Sequence, residues 1–128
     1  MKRVFVYGSL LRHQTNHRVL EGAAFAGDAS TVPGYALYDL GAYPAMVAEG
    51  NGCVHGELFD VDEGMLARLD RFEGCPHLYA RRPVGLADGT WADAYLQRPE
   101  QVRGYRRIES GDWRRHYATR RLARRTGV

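Results

Sequence analysis

Between Lys2 and Gln97 the chain is cut into short apolar runs by Gly, Pro, Asn and Asp, and only one stretch in that span is a well-signalled helix. That pattern demands strands that find partners elsewhere in the chain. "KRVFVYG" (2–8) alternates Val4 and Val6 with Phe5 and Tyr7 and reads as a buried strand closed by Gly8. "AAFAGDAS" and "YALYDL" have strand spacing on either side of the turn signal Pro33-Gly34. "YPAMVAEG" reads as another short strand, with Glu49-Gly50-Asn51-Gly52 as a hairpin turn after it. "CVHGELFDV" sets Val54, Gly56, Leu58 and Asp60 against His55, Glu57, Phe59 and Val61, the second set facing the core at least from Phe59 to Val61. "RRPVGLA" and "WADAYLQ" form a hairpin across Asp88-Gly89. A short helix is expected in "NHRVLEGA", with Thr15 or Asn16 as N-cap and Gly22 as stop, and a last one from Asp112 into "WRRHYATRRLARR". Many strands with two or three helices among them imply an α+β chain with a closed or nearly closed sheet, not a doubly wound fold.

The 128 residues fit one domain, expected to span 1–128 with a basic C-terminal segment from about residue 103. No apolar run approaches the roughly 18 residues of a membrane span, and the start "MKRVFVYGSLLRH" is a poor secretion signal, so a cytoplasmic protein is the default. Cys53 and Cys75 are too few for a disulfide framework and are expected as thiols. The five histidines make no zinc-like spacing with them; His13 and His17 are four apart, but "HQTNH" lacks the glutamate of H-E-x-x-H. No metal or other cofactor is expected. The net charge of +3 conceals an asymmetry, with 9 basic and 13 acidic side chains in residues 1–102 against 9 basic and 2 acidic in 103–128.

The helix in "DEGMLARLDRFEG" is capped by Asp62 and shows Met65, Leu66, Leu69 and Phe72 at helical spacing; Gly74 and Pro76 stop it. Glu73 lies seven residues after Leu66 and four after Leu69, so an ionisable acid occupies the apolar stripe. Burial and the negative end of the helix dipole both raise a carboxyl pKa, which brings it toward the range where one group can accept and release a proton. The alternative is a frayed last turn, with Glu73 in solvent or paired with Arg71, Arg81 or Arg82.

A strand running into Gly8-Ser9 presents successive backbone N–H groups, a cradle for an anion or oxyanion, although an ordinary strand-ending turn has the same sequence. Neither G-x-G-x-x-G nor G-x-x-x-x-G-K is present. A Ser9 nucleophile lacks the G-x-S-x-G elbow, and Cys75 with His77 would sit past a helix C-terminus, which raises a thiol pKa.

"VFVYGSLLRHQTNHRVLEGAAFAG", "YDLGAYPAMV" and "VHGELFDVDEGMLARLDRFEGCPHLYARRPV", in that order over roughly residues 3–97, together resemble the γ-glutamylcyclotransferase superfamily, closest to its γ-glutamylamine cyclotransferase-like branch. The Y-G-S-L turn stands where the family usually has Y-G-T-L. The resemblance implies a small mixed β-barrel flanked by helices. It implies a pocket in which Tyr7, Gly8, Ser9 and Leu10 hold a γ-glutamyl group, chiefly through main-chain amides, and Glu73 as general acid/base. Tyr79, Arg81 and Tyr95 also match recurrent positions, and Tyr43 and Pro44 either shape the pocket wall or pack the core. The implied substrate is a small γ-glutamyl amide. Its own α-amine attacks the γ-carbonyl and releases 5-oxoproline and an amine without water, so no protein nucleophile is needed. A monomer acting off the membrane and without nucleic acid is expected.

The tail supports a competing reading as a nucleic-acid or acidic-partner module. Arg103, Arg106, Arg107, Arg114, Arg115, Arg120, Arg121, Arg124 and Arg125 interleave there with Tyr105, Trp113 and Tyr117. The plain alternative is a solvated final helix.

Overall fold

A computed structural model describes residues 1–125 of the chain; the side chains of Arg124 and Arg125, named above among the tail arginines, and residues 126–128 lie outside the described part. The elements are β1 (Lys2–Val6), β2 (Ala24–Ser30), β3 (Tyr35–Asp39), β4 (Pro44–Gly52), β5 (His55–Val61), α1 (Glu63–Phe72), β6 (Ala80–Gly85), β7 (Trp91–Leu96), β8 (Arg106–Arg107) and α2 (Trp113–Arg125). Short 3-10 helices occupy His17–Leu20 and Pro99–Val102.

Val4, Phe5 and Val6 are all buried, so β1 is apolar on both faces and belongs inside a sheet. It runs antiparallel to β5, from Lys2↔Val61 to Val6↔Glu57, and parallel to β7 at Val4↔Asp93. β2 extends the sheet beyond β5, and β6 and β7 form the hairpin expected across Asp88-Gly89. The strand order is β2-β5-β1-β7-β4-β3-β8, with β6 on β7. The sheet curls until Thr31, just past β2, bridges Leu86, just past β6. Among the described residues that isolated bridge is not extended into a paired strand, so the α+β class holds and "barrel" describes the sheet only loosely.

β7 carries the detail that makes the site. β1 pairs with it at Asp93, whereas β4 pairs with it, also in parallel, at Leu96 through Met46. Two parallel strands thus share one edge of a third and must diverge beyond it. The Tyr7 hydroxyl spans the gap they leave, accepting from the Met46 N–H and donating to the Tyr95 carbonyl. A crevice where neighbouring parallel strands part is a natural place for a ligand.

Two expectations are corrected. Glu49-Gly50-Asn51-Gly52 is not a hairpin turn: β4 runs on to Gly52 and pairs with β3, while β5 pairs with β1 and β2. The register passes from Ala36↔Val47 to Tyr35↔Gly52, so the Gly-rich stretch is a bulge, and Gly50 takes the positive φ of 104° that it needs. The helix expected in "NHRVLEGA" is a single 3-10 turn, because Asn16 does not cap it and donates instead to the Ser9 hydroxyl.

α2 is held to the body by its own arginines. Trp113 is buried, and truncating such a side chain to alanine costs about 3–5 kcal/mol. Arg120 reaches Asp39 and the Gly41 carbonyl and lies near the rings of Trp113 and Tyr117. Arg114 donates to the Arg12 carbonyl and to Glu57. The interleaved arginine and aromatic pattern of the tail is, at these positions, helix docking.

Candidate active site

α1 ends as its sequence dictates. The Cys75 N–H bonds the Asp70 carbonyl at 2.9 Å and the Gly74 N–H bonds the Arg71 carbonyl at 3.1 Å, a Schellman cap made possible by the φ of +63° at Gly74. Glu73 is the C-cap residue, so its backbone is fixed rather than frayed. The Leu78 N–H then returns to the Gly74 carbonyl and turns the chain back over the helix end.

Glu73 faces a cavity of about 200 Å³. Its walls include Tyr7, Gly8, Ser9, Leu10, Tyr79 and Tyr95, so the site residues named from the sequence meet there, whereas Arg81 does not line it. Tyr43 and Pro44 are wall residues too; a Cβ on Gly8 would stand 2.5 Å from Pro44 Cγ, so only glycine lets the turn approach that ring. Phe5, Val6, Asn16, Phe72 and Leu78 complete the lining and are not among the site residues named from the sequence. Phe72, expected in the core stripe, is half-exposed at the rim.

The Tyr7–Leu10 turn spends its carbonyls internally. Gly8 O accepts from the Leu11 N–H, Ser9 O from the Asn16 N–H, and Leu10 O pairs with His17 Nδ1. Among the described residues the amides of Gly8, Ser9 and Leu10 donate in none of these bonds. The Ser9 hydroxyl accepts from Asn16 at 3.1 Å and touches no histidine among the described residues, while Cys75 does not line the cavity. Neither nucleophile reading has its geometry.

Glu73 is partly buried and has neither a side-chain hydrogen bond nor a counter-ion among the described residues. Burial raises its pKa to about 7. Its charge in turn pushes up the hydroxyls of Tyr7, Tyr79 and Tyr95, after the larger effect of their own burial. Of the three arginines considered above as partners, Arg81 is occupied elsewhere. It holds Asp70 at 3.0 Å and Asp93 at 2.8 Å, and Tyr95 donates to Asp70 at 2.7 Å. This cluster pins α1 to the β6–β7 hairpin and leaves the acid three residues along without a cation.

A second acid escaped the sequence reading as a special position. Glu57 is fully buried, and accepts from the Arg12 N–H and Nε, both at 2.8 Å, and from Arg114 at 3.1 Å. Burial alone would raise its pKa, but these donors outweigh it and hold the carboxyl below the usual range. The signal was available: Glu57 shares an alternation set with Phe59 and Val61. It anchors the chain two residues past Leu10, and so fixes the turn that lines the cavity.

No helix among the described residues is long and apolar enough to cross a membrane, and no cluster of His, Cys, Asp or Glu there could hold a metal ion.

A cavity at the parting of parallel strands that holds one uncompensated acid is the kind of site a small-molecule enzyme uses. The chain belongs to the γ-glutamyl cyclotransferase, AIG2-like family, whose model matches residues 4–115. It is 45% identical over 112 residues to the γ-glutamylcyclotransferase family protein YtfP of Escherichia coli K12, covering 87% of this chain and 95% of that one. It is 40% identical over 103 residues to the γ-glutamylaminecyclotransferase of Rattus norvegicus, covering 73% and 69%. The crystal structure of an AIG2-like protein from Mus musculus superposes with a TM-score of 0.77 at 34% identity, over 88% of each chain.

Proposed function

We propose that the chain cleaves a γ-glutamyl amide by intramolecular cyclisation, releasing 5-oxoproline and a free amine, with Glu73 as general acid/base. The observation that carries this reading is an unpaired carboxyl with a pKa of about 7 in the same cavity as the free amides of Gly8, Ser9 and Leu10. Glu73 as carboxylate takes a proton from the substrate α-ammonium, and the freed amine attacks the γ-carbonyl to form the lactam C–N bond. The oxyanion, or the substrate α-carboxylate, is received by the turn amides. Glu73 then protonates the amide nitrogen and the old C–N bond breaks. Two protons pass in all from the α-nitrogen to the departing one, so neither water nor a net proton is consumed. Holding the chain folded for attack supplies much of the rate, since well-oriented intramolecular reactions reach effective molarities of about 10⁵–10⁸ M.

The test is incubation with γ-glutamyl amides and detection of 5-oxoproline by mass. Glu73→Gln is expected to lower kcat by about 10²–10⁴-fold. The wild-type rate should rise with pH as the carboxylate forms, with a midpoint near 7. A Glu73→Gln protein with normal circular dichroism and activity within about tenfold of wild type would remove the assignment.

A further inference from the structure

The helix α2 runs past the part of the chain that the family shares. The family model ends at residue 115, whereas α2 continues to Arg125, and two side chains beyond 115 reach the connection between β3 and β4. His116 Nε2 lies 2.7 Å from Asp39 Oδ2. Arg120 Nη1 donates to both Asp39 oxygens, at 3.0 and 3.1 Å, and to the Gly41 carbonyl at 2.7 Å. Asp39 also accepts from the Gly41 N–H at 2.7 Å, and the Leu40 N–H bonds the Tyr43 carbonyl at 3.0 Å, which closes the connection on itself. The Asp39, His116 and Arg120 side chains are only 12%, 17% and 24% exposed, so solvent screens this junction less than a surface ion pair. Arg120 Nε is buried with no hydrogen-bond partner among the described residues, a cost that a solvated arginine does not bear.

The connection held in this way delivers Tyr43 and Pro44 to the cavity wall. The Pro44 carbonyl accepts from the Tyr79 hydroxyl at 3.0 Å, and the Pro44 ring is the surface that Gly8 approaches. Burial raises the Tyr79 hydroxyl, and the nearby Glu73 and Tyr43 push it further, so the three groups stand close together. We propose that Arg120 and His116 are positioning residues: through Asp39 and Gly41 they hold the Tyr43–Pro44 wall against the Gly8 turn and Tyr79, and so keep water from Glu73. These roles depend on where Glu73 sits and not on the reaction it performs; only their effect on turnover rests on the cyclisation reading. Loosening the wall admits water to Glu73 and removes the burial that raises its carboxyl. It also displaces the groups that hold the substrate, and a misplacement of about 1 Å can cost about 10²-fold in rate.

The test follows the Glu73 carboxyl by ¹³C NMR from about pH 4 to 9, its signal assigned by its absence from Glu73→Gln. In Arg120→Gln, α2 keeps buried Trp113 and the Arg114 bonds to Arg12 and Glu57, and circular dichroism checks that the fold persists. The Glu73 midpoint in this variant is expected to fall from about 7 by about 1 pH unit or more. Arg120→Lys returns a cation to Asp39 and is expected to recover part of that fall. His116→Phe removes one bond to Asp39, leaves Arg120 in place, and gives a smaller fall. Release of 5-oxoproline from γ-glutamyl methylamide is expected to drop about tenfold in kcat/KM in Arg120→Gln. It is expected to stay at the wild-type level in Arg115→Ala, an exposed arginine of the same helix outside the junction. A wild-type midpoint near 7 that does not move in folded Arg120→Gln overturns these roles and leaves the cyclisation reading standing. Should Arg120→Gln fail to fold, an unmoved midpoint in His116→Phe overturns them. A wild-type midpoint near 4.5 overturns both, since no wall then keeps Glu73 dry. A midpoint that falls as expected while the wild type releases no 5-oxoproline supports the positioning roles and counts against cyclisation alone.

Discussion

The acid at position 73 has a thermodynamic signature that needs no substrate. Its carboxyl has an ordinary value of 4.5 and a folded value of about 7. Between those values the folded protein binds the proton more tightly than the unfolded chain does. The neutral acid's contribution is therefore complete below about pH 4.5 and is lost as pH rises through 7. With roughly 1.4 kcal/mol per pH unit, the folded state gives up about 3 kcal/mol by alkaline pH. Glu73→Gln keeps the shape and cannot ionise, so it escapes this loss. At a chain length of 128 residues, about 3 kcal/mol corresponds to roughly 10 °C in Tm. Thermal or urea unfolding of both proteins between about pH 4 and 9 reads the difference directly. The expected curve has the variant gaining on wild type through the interval from about 4.5 to 7 and holding a constant lead above it. A difference that does not change with pH would mean that the carboxyl is solvated in the folded protein, and the physical basis for a proton shuttle would be gone.

Gly8→Ala forces a Cβ to within 2.5 Å of Pro44 Cγ, and is expected to cost about 1–3 kcal/mol in urea unfolding and to lower 5-oxoproline release. Ser9→Ala removes one hydrogen bond from Asn16, worth about 1 kcal/mol, and activity should stay within about tenfold, whereas loss of a nucleophile would abolish it. Glu57→Gln takes the buried carboxylate from Arg114 and leaves Arg12 only its looser pair with Asp28 at 3.8 Å. Because both guanidinium groups remain part-exposed, the expected cost is about 2–3 kcal/mol at neutral pH. It should shrink on acidification, as the wild-type carboxyl with its lowered pKa takes up its proton.

The parts of this fold written in local signals were legible. Asp62 accepts from the Met65 N–H, Gly74 adopts its positive φ, and the hairpin turns at Asp88-Gly89, each a device that acts within a few residues. Glu73 stood out because helical periodicity is also local. Pairing partners were not legible: β1 takes β5 and β7, both far along the chain, and nothing in "KRVFVYG" names them. The Glu49–Gly52 stretch misled for the same reason, since glycines that let a chain bend look alike whether the flanking strands pair with each other or with others. Asn16 could cap or could reach Ser9, and only the folded turn decides. Phe72 fits the apolar stripe by spacing, yet the stripe runs past the end of the core and delivers it to the rim.

The edge of β7 that serves β1 at one end and β4 at the other means that the cavity has no local author. Residues 7–10, 43–44, 72–73, 78–79 and 95 are strangers in the chain, brought together only where β1, β4 and β7 pair. A half-unfolded molecule keeps no remnant of it, so ionisation of Glu73 should revert to that of a free acid at the same denaturant concentration at which the backbone signal is lost.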